Sequence, residues 1–240
     1  MDFTTTTLLV LAVLFFSTFT RSALGFGDGL IAMPLMTIVV DIQLATPLVA
    51  FVAMTISTMI LFSSWREVDF QAARRLIFSS LFGIPCGLGL FILAPEEVVK
   101  GVLGVLLVLF GLYNLLTPKL PTLKNETLAY LFGFLSGLFG AAYNMPGPPA
   151  VIYGTLRRWP PEGFRATLQG HFFPMTVMIL LGHGLAGLWT PEVLRLYLYS
   201  LPIVMLAIWV GGKANTRIPL ELFKNVVYLF LVVIGLFMLI

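Results

Sequence analysis

Ser22-Ala23-Leu24-Gly25-Phe26-Gly27-Asp28-Gly29 and, in the second half of the chain, Ser136-Gly137-Leu138-Phe139-Gly140-Ala141-Ala142-Tyr143-Asn144-Met145-Pro146-Gly147-Pro148-Pro149 decide how this sequence folds. Each interrupts an apolar segment. Leu8 to Thr20 lies before the first break and Leu30 to Val40 after it; Leu128 to Phe139 and Ala150 to Leu156 flank the second. Glycine and proline are the residues least compatible with a helix interior. Irregular backbone inside a bilayer is stable only where protein or a water-filled cavity satisfies its N–H and C=O groups. Two such breaks therefore mark a cavity within a membrane domain.

The rest of the chain establishes that a membrane surrounds them. Hydrophobic residues make up 59% of the sequence and charged residues 10%, and mean hydropathy is +1.00. That leaves too little polar surface to clothe a water-soluble globule. Apolar runs recur as far as Ile240, unlike a signal peptide, which is one short stretch near the N-terminus. Six are long enough to cross about 30 Å of hydrocarbon as helices: Leu44 to Phe62, Leu76 to Ala94, Val98 to Leu116, Ala166 to Leu185, Val193 to Val210 and Leu222 to Ile240. The net charge of +3 comes from scattered Lys and Arg residues that read as topology signals, and no nucleic-acid partner is expected. The single cysteine, Cys86, forms no intrachain disulfide.

The order of elements repeats. Gly87, Glu97, Lys100, Gly111 and Leu112 recur at one fixed offset as Gly211, Glu221, Lys224, Gly235 and Leu236, and Met54-Thr55 has a counterpart in Met175-Thr176. The expected organisation is a repeat over 1–117, a cytoplasmic linker over 118–126 and a second repeat over 127–240. Basic residues cluster in four loops: Arg66, Arg74 and Arg75; Lys119 and Lys124; Arg157, Arg158 and Arg165; Lys213 and Arg217. If each broken pair returns to the face it entered from, all four loops share the cytoplasmic side. Each half then has an odd number of crossings and the halves are inverted. The predicted fold is all-α, a polytopic membrane protein of two inverted repeats. Each repeat is a broken, hairpin helix pair plus three transmembrane helices, with both termini outside.

In each hairpin the returning half-helix starts at the break, near Gly29 and near Pro148-Pro149, where proline suits the first helical turn. A helix N-terminus presents partial positive charge and free N–H donors, and Gly25, Gly27, Gly29 and Gly147 let a ligand approach the backbone. Two inverted hairpins would aim two such ends at one midplane site, which suits a small anion. Arg21 follows about 13 apolar residues, too few to cross the core as a helix, and is expected to lie deep. Its planar fork of donors suits an oxyanion, beside Ser22. The competing readings are that it snorkels to an interface or pairs with Asp28. Asp28 is alternatively a proton carrier. Tyr143 and Asn144 can donate to an oxyanion or merely satisfy backbone. Gln169 and His171 face the cavity or bond a neighbouring helix, the latter preferred for Gln169. Thr55 and Ser57 read as back-bonding to their own helix. His171 and His183 fall on different faces of a helix, so no metal site or cofactor is expected.

The glycine-rich breaks Gly25-Phe26-Gly27-Asp28-Gly29 and Ser136-Gly137-Leu138-Phe139-Gly140, the latter followed by Gly147-Pro148-Pro149, together with the Gly87 and Gly211 elements, resemble the sulfite exporter and sulfonate uptake permease family, TauE/SafE. The resemblance covers nearly the whole chain. It implies a bacterial or archaeal inner-membrane permease for sulfite, sulfonates or related sulfur-containing anions. Asp28 stands where that family commonly has another glycine, and Tyr143-Asn144-Met145 is a bulky insertion before Gly147. The expected function is a secondary transporter of a small anion, with a coupling proton or sodium ion. A passive anion channel is the first alternative. An intramembrane enzyme is the second, disfavoured because the sequence has no His-Glu-x-x-His, Gly-x-Ser-x-Gly or nucleotide-binding Gly-x-x-x-x-Gly-Lys-Ser/Thr pattern.

Overall fold

The structure is a computed structural model that describes residues 3–116, 122–123, 125–215 and 220–239. It contains α1 (Phe3–Leu24), α2 (Asp28–Val39), α3 (Ile42–Ser64), α4 (Phe70–Leu93), α5 (Glu96–Leu116), α6 (Leu128–Tyr143), α7 (Gly147–Leu156), α8 (Pro161–Leu185), α9 (Pro191–Asn215) and α10 (Leu220–Phe237). A 3-10 turn, Trp65–Glu67, joins α3 to α4. The described residues include no strand. Lys119, Lys124 and Arg217, expected to mark cytoplasmic loops, lie outside the described residues, as do the side chains of Glu221 and Lys224.

Among the described residues, five stretches are long and apolar enough to cross a membrane: Thr5–Leu24, Ile42–Glu67, Phe70–Leu93, Glu96–Leu116 and Pro191–Ala214. The first corrects the sequence expectation. The run Leu8 to Thr20, expected to be too short to cross the core, lies in α1, which has 22 residues, about 33 Å at 1.5 Å per residue. Threonine carries only a small helix penalty, so the run before Leu8 continues the helix, which packs along α9. The expected span Ala166 to Leu185 lies in α8, whose 25 residues include Arg165, Gln169, His171 and His183 and which is not among the five apolar stretches. This helix runs through the interior, against α3 and α4.

Outward faces are apolar: Phe62, Leu93, Leu109, Leu116, Leu185, Leu198 and Trp209 are all exposed. Such a surface matches lipid, not water.

Small residues bring the helices together. On α4, Ser79, Ser80, Gly83 and Gly87 face Gly133, Gly137 and the backbone of Phe134 and Leu138 on α6, so close that a Cβ on either helix's glycines would overlap the other helix. This is the close crossing that drives helix association in membranes. Residues that correspond in the two halves of the sequence make close helix contacts. Gly87 meets α6 at Leu138, while its counterpart Gly211 on α9 meets α1 at Phe19 and Ser22. Gly111 on α5 meets Tyr228 and Val232 of α10, and Gly235 on α10 meets Gly104 and Leu107 of α5. Matching α1–α5 with α6–α10 in order exchanges the α4–α6 packing with the α9–α1 packing and maps the α5–α10 and α3–α8 packings onto themselves.

The second broken pair returns to where it began. At the foot of α6, Glu126 bonds both Arg75 of α4 and Arg157, which follows α7; its contact with Arg157 Nη2 is 3.1 Å. Arg157 also donates to the Leu123 carbonyl at 2.9 Å, and the Leu123 amide donates to the Leu156 carbonyl at 2.8 Å. Helices of 16 and 10 residues thus form a closed hairpin, with Arg75, Glu126 and Arg157 meeting at its base.

The Arg75 hydrogen bond holds the Glu126 carboxyl below its ordinary value of 4.5. A lowered folded-state pKa contributes stability that is fully present above the unfolded value and lost as pH falls through the folded one. Amide exchange at Leu123, corrected for the intrinsic rate, is therefore expected to accelerate as pH falls below 4.5. Glu126→Gln should remove that pH dependence, and an unchanged acid limb in the variant would refute the clasp.

Candidate functional site

The two breaks touch. Gly29, in the first turn of α2, lies against the backbone carbonyl of Asn144 in the second break, so closely that any side chain at position 29 would overlap it. Each break turns through a left-handed residue: Gly25 (φ 89°) and Gly27 (φ 103°) in the first, Asn144 (φ 53°) in the second. Asparagine is one of the few non-glycine residues that adopts this region readily. The breaks also correspond in register. Leu24, Asp28 and Ile42, which end α1 and begin α2 and α3, bear one constant separation to Tyr143, Gly147 and Pro161, which end α6 and begin α7 and α8.

Between the breaks is a cavity lined by Phe26, Gly27, Asp28 and Gly29 from the first, Asn144, Met145 and Gly147 from the second, and Phe172 of α8. Both returning helices, α2 and α7, start at its wall. The room inside is about 10 Å³, space for about one water molecule.

Arg21 occupies the last turn of α1 and is 2% exposed. The helix-length argument for its depth does not hold, since α1 can cross the bilayer; its burial comes instead from the surrounding helices. Nη1 donates to Asp28 Oδ2 at 2.7 Å, and Nη2 donates to Ser57 Oγ of α3 and to Gln169 Oε1 of α8 at 2.9 Å. The guanidinium carbon lies 5.4 Å from the Phe172 ring centre. The Arg21 Nε is buried and has no partner. Asp28 is 7% exposed, so the two charges neutralise one another in the interior, the alternative that the sequence left open.

Ser57 corrects a sequence expectation. Its hydroxyl accepts from Arg21, whereas Thr55 does back-bond, to Phe51 at 3.2 Å. A serine in an apolar helix carries no signal distinguishing these roles until the arginine opposite is placed. Gln169 bonds a neighbouring helix, as preferred from the sequence: it accepts from Arg21 of α1, and its Nε2 donates to the Gly25 carbonyl at 2.6 Å. It thereby fixes the first break to α8.

The second break is held by other partners. Asn144 Nδ2 donates to the Thr46 carbonyl of α3 at 2.7 Å. Ser136 Oγ donates to the Pro146 carbonyl at 2.7 Å and lies 2.9 Å from His171 Nε2. With the serine proton committed to Pro146, His171 Nε2 must carry the hydrogen that Ser136 accepts. His171 Nδ1 and the Tyr143 hydroxyl are buried without partners. Ser22 turns away from this cluster, donating to the Ile208 carbonyl of α9 at 3.1 Å. Arg21, Asp28 and Gln169 therefore converge at the first break, Asn144 and His171 with Ser136 at the second, and α8 reaches both.

Sequence reasoning placed Arg165 only among the cytoplasmic charges. In the structure its aliphatic stem lies against the first break: a Cβ on Gly25 would come within 2.9 Å of Arg165 Cγ. Its side chain is half-buried, its Nε is buried without a partner, and its charge acts on Arg21 and Glu67.

A family model described as Sulfite exporter TauE/SafE matches residues 9–238. No curated protein and no solved structure matches the chain.

Proposed function

The chain belongs to the sulfite exporter TauE/SafE family, a family of membrane transporters, and from that premise we propose that it is a secondary carrier of a small sulfur-containing oxyanion. The observation that carries the reading is the meeting of the two breaks, where the starts of α2 and α7 wall one cavity. The free N–H groups at the start of α2 and the unpartnered Arg21 Nε suit the oxygens of sulfite or a sulfonate. We further propose that residues 1–117 and 127–240 are inverted repeats in an inner membrane with both termini outside. The exchange of packing between α4–α6 and α9–α1 supports this.

A cavity with room for about one water cannot seat sulfite, so the halves must move apart to load it. Membership of a transporter family favours a carrier over a channel. The test is uptake of radiolabelled sulfite, methanesulfonate and an acetate control into proteoliposomes, under imposed proton or sodium gradients. Saturable flux with counterflow is the expected result; the gradient that drives accumulation names the coupling ion. Unitary currents would establish a channel instead, and no flux of either sulfur anion would refute the assignment.

A further inference from the structure

We propose that Arg165 supplies the charge that selects the anion, and that the site accepts one negative charge and not two. This rests on the transport reading above. Arg21, the obvious cation, is already neutralised: Asp28 accepts from it at 2.7 Å and both are buried. The positive end of α2 is similarly answered by Asp28 in its own first turn. At α7, Pro148 and Pro149 follow Gly147 and contribute no N–H. The interior around the breaks is thus close to neutral without a further cation.

Arg165 is that cation. It approaches from the first turns of α8, and its stem packs on Gly25, whose neighbour Phe26 lines the cavity. Gly25 has φ 89°, so both its backbone conformation and the closeness of Arg165 exclude a side chain there. The buried Arg165 Nε has no partner, leaving a donor of its planar fork unused. Among the described residues, Glu67 is the carboxylate within electrostatic reach of Arg165, and it is exposed on the 3-10 turn and screened by water. Among the described residues, counting Arg21 with Asp28 as a neutral pair, one positive charge, that of Arg165, remains beside the first break. A monoanion such as a sulfonate or hydrogensulfite balances it, whereas a dianion brings a second, uncompensated charge into a poorly solvated site.

The test uses methanesulfonate uptake into proteoliposomes by wild type, Arg165→Met and Arg165→Lys. Methionine keeps an apolar stem against Gly25 and removes the charge; lysine keeps both. Arg165→Met should raise KM by about tenfold or more with a smaller change in Vmax, and Arg165→Lys should stay within about threefold of wild type. A KM for Arg165→Met within about twofold of wild type would overturn the role of Arg165. Methylphosphonate has the shape of methanesulfonate but takes a second negative charge as pH rises, so its inhibition of wild-type uptake tests charge alone. Inhibition should weaken about tenfold on that second ionisation, with unlabelled methanesulfonate as the pH control; undiminished inhibition would overturn selection for a single charge. This arm decides even if Arg165→Met fails to fold. Absence of any wild-type flux would refute the transport reading itself, and this assignment with it.

Discussion

Arg21→Gln is expected to destabilise the folded protein in detergent by about 3–5 kcal/mol, because it strands a buried carboxylate at Asp28. The cause is the missing partner rather than the loss of attraction between the charges. Taking both groups out of water is expensive, and their mutual attraction only offsets that expense while both are present. Asp28→Asn should therefore be damaging as well, leaving a guanidinium that retains only Ser57, Gln169 and the Phe172 face. The double variant Arg21→Gln, Asp28→Asn should recover more than half of the loss, a coupling that a double-mutant cycle on thermal or denaturant unfolding would read directly. Single variants within about 1 kcal/mol of wild type would show that the pair is solvated in the folded protein. If the double variant is folded yet transports nothing, the pair contributes to handling the substrate as well as to stability.

Gly29→Ala should have an effect of similar size by a different route. Its methyl group would fall on the Asn144 carbonyl, a backbone atom with no rotamer by which to escape. Either the breaks separate or the second break gives up the Asn144 bond to Thr46. Overpacking of this kind costs about 3 kcal/mol when backbone must shift, and the displaced helix starts should no longer wall a common cavity, so uptake should be lost. Gly89→Ala provides the control, since open space surrounds its Cβ position on α4. Equal stability of the two alanine variants would refute contact between the breaks.

The breaks were legible in the sequence because glycine and proline act locally, and four of the six expected long spans because apolar composition over about 20 residues is a strong signal. Gly87 with Gly211 and Gly111 with Gly235 recur in the sequence at one offset, and the structure adds what they do, each admitting the backbone or side chains of a facing helix. The length of α1 was not legible, since the threonines before Leu8 read as the end of an apolar run although helices tolerate them. Ser57 and Arg165 were missed for a different reason. Each lies far along the chain from the break it contacts, with Ser57 joined to Arg21 and Arg165 to Gly25 only by the tertiary fold. A basic residue near a membrane helix reads as a topology signal from sequence alone. Only its packing shows that Arg165 points its stem at a break.

The short second hairpin has an electrical consequence. Its return helix, α7, has 10 residues, about 15 Å of rise, roughly half the thickness of the hydrocarbon core. If the hairpin enters from one face of the membrane, as proposed, its tip, where it meets Gly29, would lie within the voltage drop and not at either surface. A unit charge crossing the full membrane gains or loses about 2.3 kcal/mol per 100 mV, so a monoanion arriving at the tip would have exchanged part of that. Loading and release would each carry part of the electrical work, and neither side of the membrane would hold the whole barrier.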